Sequence, residues 1–302
     1  MPRQTSAIAE RFELVPRGPF TLRSAARFIA GWAPAARPGT REDPDLVRLA
    51  FLVDDWSGHA GVALRQRTDG VVVGQISADS TAADSRRVRE QAARIISLDH
   101  DGSGYPAVGE REPLIGELQH TAGWLRPVLF HSPYEAACWG VISVRLRQAQ
   151  AAPIRDRLSA AHGARLTVEG EELVAFPTPE RLLEVREAEG VPAAKLSQLH
   201  AIARAAIDGL LDRDRLLALD PDTALNQLRT LPGIGAFWSQ AILLRAVGPT
   251  DVAIPGEPRL RAKAAALYGV PEATEDDDAF LALAERWRPF RTWVSVLVRS
   301  AG

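Results

Sequence analysis

A short turn between two helical patterns is the feature that most constrains the fold of this chain. LPGIG (231–235) follows the helical pattern TALNQLRT and precedes AFWSQAILLRAV. Pro232 stiffens the entry to the turn, and Gly233 and Gly235 permit positive φ and close approach of the backbone. The unpaired N–H groups that begin the second helix suit a phosphate. A plain corner between two helices has the same pattern, so LPGIG alone leaves both interpretations open.

A lone glutamate between two prolines follows the second helix, in DVAIPGEPRLR (251–261). Pro258 fits the first position of a further helix, so Glu257 is predicted to be its N-cap, where the helix dipole favours an ionised carboxylate. Glu257 therefore either caps the helix or stabilises positive charge in a reaction. Because glutamate is a poorer N-cap than aspartate or serine, the pattern favours the chemical role.

The residues before this region predict an α+β protein with two domains. FELVPRG, DLVRLAFLVDD, HAGVALRQR and VVVGQIS have the character of strands, with a tight turn at 68–70, and RSAARFIAGWA and 80–100 predict helices. The Gly- and Pro-rich stretch 101–113 marks a boundary. We predict an N-terminal α/β domain with an antiparallel sheet (1–105) and an all-α domain (106–302), in which Ser132 and Thr178 begin helices before Pro133 and Pro179.

Composition excludes several kinds of site. The only cysteine among 302 residues is Cys138, which rules out an internal disulfide, a cysteine-ligated zinc and an iron–sulfur cluster. The formal net charge of −2 gives no overall basic signature for nucleic acid, although a binding face is local. Dinucleotide, P-loop, GxSxG and metal motifs are missing, which disfavours a generic metabolic enzyme.

The motifs around the turn resemble those of the helix-hairpin-helix DNA glycosylase superfamily, with the closest likeness to the bacterial 3-methyladenine DNA glycosylase II branch. The likeness extends from the hairpin to GVPAAKLSQLHAIARAAIDGLL (190–211), FPTPERLLEV (176–185) and AERWRPFRTWVSVLVR (284–299). It implies a helix-hairpin-helix glycosylase domain preceded by the extra N-terminal domain of that branch.

The resemblance implies a catalytic role for Glu257. Glu257 matches the essential aspartate of the superfamily, with a side chain one methylene longer, and would stabilise the oxocarbenium-like sugar and position water. Branches that also cleave the backbone carry a lysine at the position of Phe237. The resemblance therefore implies a monofunctional enzyme that releases the base and leaves an abasic site.

The resemblance also implies a base pocket and a DNA-binding face. Arg299 stands where relatives carry a stacking tryptophan, and an arginine can also stack on a base. Core packing is the alternative role for the pocket aromatics. Arg145 matches the residue that fills the gap left by a flipped base, and its alternative role, with Arg147, is phosphate contact. The candidates are, for the base pocket, Phe237, Trp238, Tyr134, Trp139 and Arg299; for DNA binding, Pro232, Gly233, Ile234, Gly235, Arg145 and Arg147; and, for a structural Na⁺ or K⁺ on backbone carbonyls, Arg229, Leu231 and Gly233.

The function that follows is excision of alkylated or otherwise damaged purines from duplex DNA, by base flipping and hydrolysis of the N-glycosidic bond. The alternative is a DNA-damage or DNA-structure binding protein on the same scaffold, with lost or altered catalysis. The expected partner is damaged double-stranded DNA, with no required cofactor, no membrane and no obligate protein partner. Without a signal-peptide pattern or a long apolar run, the chain is expected to be a cytoplasmic monomer that associates with the nucleoid.

Overall fold

The computed structural model describes residues 8–36 and 43–301 and has the α+β architecture that the sequence predicts. Four antiparallel strands form the N-terminal sheet in the order β1-β4-β3-β2. The strands are β1 (Ile8–Leu14), β2 (Leu46–Leu52), β3 (His59–Gln66) and β4 (Val72–Ser77). The Arg67 N–H donates to the Val71 carbonyl at 2.9 Å and closes the turn expected at 68–70.

Two helices, α1 (Leu22–Gly31) and α2 (Ser85–Ile95), share an apolar core with the sheet. The second begins later than the serine and threonine at 80–81, because Thr81 and Ala82 donate their N–H groups to the His59 carbonyl and extend the edge of β3. Asp84 then caps α2 by accepting the Arg86 N–H at 2.9 Å. The helix is therefore shorter than its sequence pattern suggests.

The rest of the chain is mainly helical, and Ser132 and Thr178 cap helices as predicted, each accepting an N–H three residues later at 3.1 Å. In the described part of the chain, no helix has both the length and the apolar character to cross a bilayer. The helices are α3 (Pro106–Arg111), α4 (Pro113–Thr121), α5 (Pro133–Ser143), α6 (Gln148–His162), α7 (Pro179–Glu184), α8 (Ala193–Ile207), α9 (Arg213–Ala218), α10 (Pro221–Arg229), α11 (Ala236–Ile242) with a π-helical continuation (Leu243–Val247), α12 (Pro258–Tyr268), a 3₁₀ turn (Pro271–Thr274), α13 (Asp277–Glu285) and α14 (Arg291–Ser300).

A β-hairpin inside the second half departs from the all-α expectation for residues 106–302. Strands β5 (Ala164–Val168) and β6 (Glu171–Ala175) pair across a turn in which Glu169 and Gly170 both have positive φ. Alternate residues of the hairpin, including Leu166 and Leu173, form a small core with β2 and β3. The alternation in RLTVEGEELVA was the signal for these strands. The domain boundary at 105/106 stays a prediction.

Candidate nucleic-acid interface and active site

The hairpin between α10 and α11 is anchored by its apolar residues and exposes its other residues. Leu231 and Ile234 are buried in the helical core, whereas Pro232 and Gly233 are exposed. The Ile234 N–H donates to the Leu231 carbonyl at 3.1 Å and closes the turn. The side chain of Ile234 thus anchors the loop, and only its backbone is left for the predicted DNA contact.

The two glycines of the hairpin have different conformations. Gly233 has φ of +84°, as expected, and a Cβ there would lie 3.1 Å from the Cδ of Gln198 on α8. Gly235 has φ of −88° and so does not use the positive φ that glycine permits. A Cβ at Gly235 would meet no protein atom within 4 Å. Nothing in the described fold therefore requires glycine at 235.

The start of α11 presents free backbone donors at an exposed surface. Gly235 is the N-cap, and the first bond of the helix runs from the Ser239 N–H to the Gly235 carbonyl at 2.9 Å. The N–H groups between these residues belong to the first turn, where a helix has no internal acceptors for them. Gly235, Ala236 and Phe237 are exposed. The geometry fits an anion at this helix end.

Phe237 and Trp238 lie together at this end of α11 but face different surroundings. Their rings meet edge to face at a centroid distance of 5.4 Å. The Phe237 side chain is about half exposed, whereas Trp238 packs over Gly140 on α5, where a Cβ would lie 3.1 Å from the indole ring. Phe237 is therefore the predicted pocket aromatic that is most accessible to a ligand.

The loop between α5 and α6 flanks the same end of α8 as the hairpin. Lys195 on α8 donates from Nζ to the carbonyls of Ile142 and Val144, at 2.7 and 3.0 Å. One turn further along α8, Gln198 contacts Gly233, and residues three apart share a helix face. Arg145, with φ of +61°, is exposed in this loop.

The same loop also exposes Arg147. Its two arginines and Lys195 form a local group of positive charges. Burial lowers the pKa of Lys195, and the charge of Arg145 lowers it further. Clustered cations of this kind suit a phosphate backbone, which the overall net charge of the chain does not reveal.

Glu257 occupies the N-cap of α12 and also forms an ion pair. Its carboxylate accepts the N–H groups of Arg259 and Leu260, at 3.2 and 2.7 Å. Arg299, in the last turn of α14, lies with Nε 2.8 Å from the Glu257 Oε2. The carboxylate is therefore held in position from two directions, and its side chain is still 30% exposed.

The backbone before Glu257 lies against α11. A Cβ at Gly256 would be only 1.6 Å from the Oε1 of Gln240, so the two segments are in direct contact. Gln240 is three residues after Phe237 and lies on the same face of the helix. The helix that the hairpin begins is therefore adjacent to the candidate carboxylate. This is the arrangement expected if hairpin and carboxylate serve one site.

A partly buried arginine near this site was not identified from the sequence. Arg245, in the π-helical continuation of α11, lies over the rings of Trp32 and Phe28, at 4.2 and 5.1 Å from their centroids. Its Nη2 donates to the Val128 carbonyl at 2.7 Å. Burial lowers the pKa of the Arg245 guanidinium, and the positive charge of Arg299 lowers it further. The one charged residue in the apolar run AILLRAV was the available signal.

Two predicted pocket aromatics lie in the helical core instead. Tyr134 is fully buried, donates its hydroxyl to the Pro177 carbonyl at 3.3 Å and packs edge to face against Trp56 and Phe176. Trp139 is 2% exposed, with the Arg155 guanidinium 5.4 Å from its ring centroid. A flipped base cannot reach either ring in this arrangement. The alternative role given above, core packing, applies to both.

The carbonyls expected to hold a monovalent cation lie along the hairpin. Of these, the Leu231 carbonyl already accepts the Ile234 N–H at 3.1 Å. A carbonyl oxygen has a second lone pair, so this bond does not prevent it from binding an ion. The cation site at Arg229, Leu231 and Gly233 stays a prediction.

Comparison with known proteins finds DNA glycosylases among the proteins similar to this chain. No family model matches the chain. The DNA-3-methyladenine glycosylase 2 of Escherichia coli is 27% identical over 164 residues, 53% of this chain and 54% of that protein. The DNA-3-methyladenine glycosylase of Bacillus subtilis is 25% identical over 174 residues, 54% of this chain and 57% of that protein. Each match thus spans little more than half of these relatives.

A solved structure shares nearly the whole fold. The 3-methyladenine DNA glycosylase of Archaeoglobus fulgidus superimposes with a TM-score of 0.73, covering 95% of this chain and 96% of that one at 17% identity. The resemblance inferred from the motifs is therefore confirmed over the fold as well. The chain is thus similar in sequence to two bacterial DNA-3-methyladenine glycosylases and similar in fold to an archaeal one.

Proposed function

We propose that this protein is a monofunctional DNA N-glycosylase that removes damaged purine bases from duplex DNA. One observation carries the proposal: the backbone just before Glu257 packs on α11, the helix that begins at the hairpin. Gly256 and Gln240 form the contact between the two segments. A phosphate held at the hairpin would thus bring the sugar of a neighbouring nucleotide towards a carboxylate. The similarity to glycosylases in sequence and fold supports the same reaction.

In the proposed reaction the protein first binds the DNA backbone. The exposed amides at the start of α11, with Arg145 and Arg147, hold phosphates and set the position without reading sequence. The damaged nucleotide rotates out of the duplex, and Phe237 offers an aromatic surface to its base. Arg145 then fills the space that the base has left.

The Glu257 carboxylate acts when the N-glycosidic bond breaks. Positive charge develops on the sugar, and a fixed negative charge next to it lowers the energy of the transition state. Water then adds to C1′, and its proton goes to the departing base when that base leaves as an anion, or to solvent when a cationic base leaves as a neutral molecule. The bonds from Arg259 and Leu260 N–H, with Arg299, keep the carboxylate in one orientation, so that little reorganisation accompanies the reaction.

We propose release of the base without strand cleavage, because no lysine occupies the position of Phe237. The chain contains two lysines, Lys195 and Lys263. Lys195 Nζ donates to the carbonyls at the end of α5, and Lys263 Nζ donates to those of Arg299 and Ala301 at the end of α14. Reduction with borohydride during turnover should therefore trap no protein–DNA adduct. An adduct that disappears in Lys195→Gln would contradict monofunctional chemistry.

Single-turnover excision tests the proposal directly. Duplexes carrying 3-methyladenine, 7-methylguanine, ethenoadenine or hypoxanthine are incubated with wild-type protein or Glu257→Gln and then treated with alkali. We expect alkali-dependent cleavage by the wild type that is lost in Glu257→Gln. Activity that persists in the variant would assign the chemistry to another residue. Duplex binding by the wild type without release of any base would reject the glycosylase activity.

A second function is favoured by the way Glu257 is engaged. Its carboxylate already caps α12 and pairs with Arg299, so it has a complete set of partners without a substrate. The same scaffold could therefore recognise damaged or distorted DNA without cutting out a base. Tight binding to lesion duplexes, combined with no abasic product, would support this alternative.

A further inference from the structure

Two arginines bring positive charge to the surroundings of Glu257. Arg299 pairs with the carboxylate directly, and the charge of Arg299 also acts on the partly buried Arg245.

Burial and Arg299 lower the pKa of Arg245 to about 9, so its guanidinium is still charged at neutral pH. Its guanidinium is enclosed by the rings of Trp32 and Phe28, and its Nε has no hydrogen-bond partner among the described residues. A charge that is removed from water acts on its neighbours through a lower effective dielectric constant. Arg245 therefore adds a second positive charge that interacts with Arg299, next to Glu257.

This charge affects two classes of damaged base in opposite ways. A purine alkylated on a ring nitrogen, such as 7-methylguanine in DNA, is a cation and is repelled by Arg299 and Arg245. A neutral purine with a carbonyl group, such as hypoxanthine, is not repelled, and its oxygen can accept from a guanidinium. A guanidinium has five N–H donors, of which the contact with Glu257 uses the one on Nε.

The chemistry of the leaving group points in the same direction. When a neutral purine leaves, the electron pair of the C1′–N9 bond stays on the base, which becomes an anion until the proton of the attacking water neutralises it. A nearby guanidinium stabilises that developing negative charge. A cationic alkylated purine leaves as a neutral molecule and gains nothing from the same group. Arg299 thus favours the neutral substrate both in binding and in bond cleavage.

We propose that Arg299 is the specificity-determining residue of this site and selects neutral, carbonyl-bearing damaged purines over cationic alkylated ones. The inference rests on the glycosylase function proposed above and specifies its substrate class. Arg299 would make contact with the base, while its bond to Glu257 keeps the guanidinium at the site. Arg245 acts through the field that it adds and needs no contact with the substrate.

The test compares two substrates in otherwise identical duplexes, one with hypoxanthine and one with 7-methylguanine. Single-turnover rates are measured for wild type, Arg299→Gln, Arg299→Lys and the control Arg165→Gln, which removes an arginine from an exposed ion pair with Glu172 on the β5–β6 hairpin. The hypoxanthine-to-7-methylguanine rate ratio is the readout, because any general effect on Glu257 or on folding applies to both substrates and cancels.

We expect Arg299→Gln to lower that ratio by about tenfold or more, as loss of a transition-state donor does elsewhere. Arg299→Lys, which keeps the charge, and Arg165→Gln should retain most of the wild-type ratio. An unchanged ratio in Arg299→Gln, or a wild type that prefers 7-methylguanine, would overturn the inference and leave the glycosylase function standing. Release of neither base by the wild type, nor of any other lesion in the excision panel, would reject both.

Discussion

Glu257 and Arg299 join the start of α12 to the end of α14 through one contact, 2.8 Å between Oε2 and Nε. Both side chains are about one-third exposed, so the pair itself adds little to stability, on the order of 1 kcal/mol or less. Its main effect is on geometry. The ion pair holds the Glu257 carboxylate in place and keeps the Arg299 guanidinium next to it.

The two roles of Glu257 can be separated by two substitutions. Glu257→Gln keeps an oxygen that can accept the N–H groups of α12, so its cost in stability should be under about 1 kcal/mol. Glu257→Ala removes the cap and should cost about 0.5–2 kcal/mol. Excision should be lost in both variants, because neither has the charge. Urea denaturation and single-turnover rates, measured side by side, check this. Full activity in Glu257→Gln would reduce Glu257 to a helix cap.

Gly235 tests whether the hairpin backbone touches DNA. Since a Cβ at this position meets no protein atom within 4 Å, Gly235→Ala should fold normally and yet bind undamaged duplex more weakly, because the methyl group occupies the space that a phosphate would use. Binding is measured at fixed salt. The comparison is Gly233→Ala, which should also lose stability, by about 1–2 kcal/mol, because its φ is +84°. Wild-type affinity in Gly235→Ala would remove the hairpin from the interface.

Arg145 and Arg147 are neighbours in one exposed loop and should nevertheless differ in function. Arg145→Ala should reduce excision of a damaged base more than it reduces binding to undamaged duplex, because its proposed role begins after the base has flipped. Arg147→Ala is the matched control. It should weaken binding to all duplexes and lower the slope of log K against log salt by about one. Equal losses of binding and excision in Arg145→Ala would make Arg145 a phosphate contact as well.

His59 should make the stability of the fold depend on pH. Its Nε2 lies 2.9 Å from the Phe176 carbonyl, and burial lowers its pKa below the ordinary value of 6.5. Just below pH 6.5 the unfolded chain therefore binds a proton that the folded chain does not. The contribution of neutral His59 to folding stability is present above pH 6.5. It is lost as the pH falls from 6.5 through the lower pKa that His59 has in the folded protein.

Denaturation by urea at several pH values measures this effect. Wild-type stability should fall more steeply below pH 6.5 than that of His59→Gln. His120→Gln, which removes an exposed histidine on α4, should behave as the wild type does. If the free energy of unfolding falls with pH at the same slope in wild type and His59→Gln, His59 does not contribute to the pH dependence.

The sequence determined the parts of this protein that depend on neighbouring residues. Alternating apolar residues specified the strands of the N-terminal sheet, and Ser132 and Thr178 specified the starts of α5 and α7. Pro258 likewise made Glu257 an N-cap. In each case a turn or cap is formed by groups a few residues apart, so local geometry alone is sufficient.

Only the tertiary structure decided what surrounds those elements. From the sequence, Tyr134 and Trp139 could line a base pocket or pack in the core. Distant segments bury both side chains, so both are core residues. The pairing of Arg299 with Glu257 and the enclosure of Arg245 by Trp32 also join segments far apart in the chain. Desolvation and the strength of a charge depend on everything packed around a group, and no local pattern records that. The sequence therefore identified the carboxylate, and the fold supplied the cations that surround it.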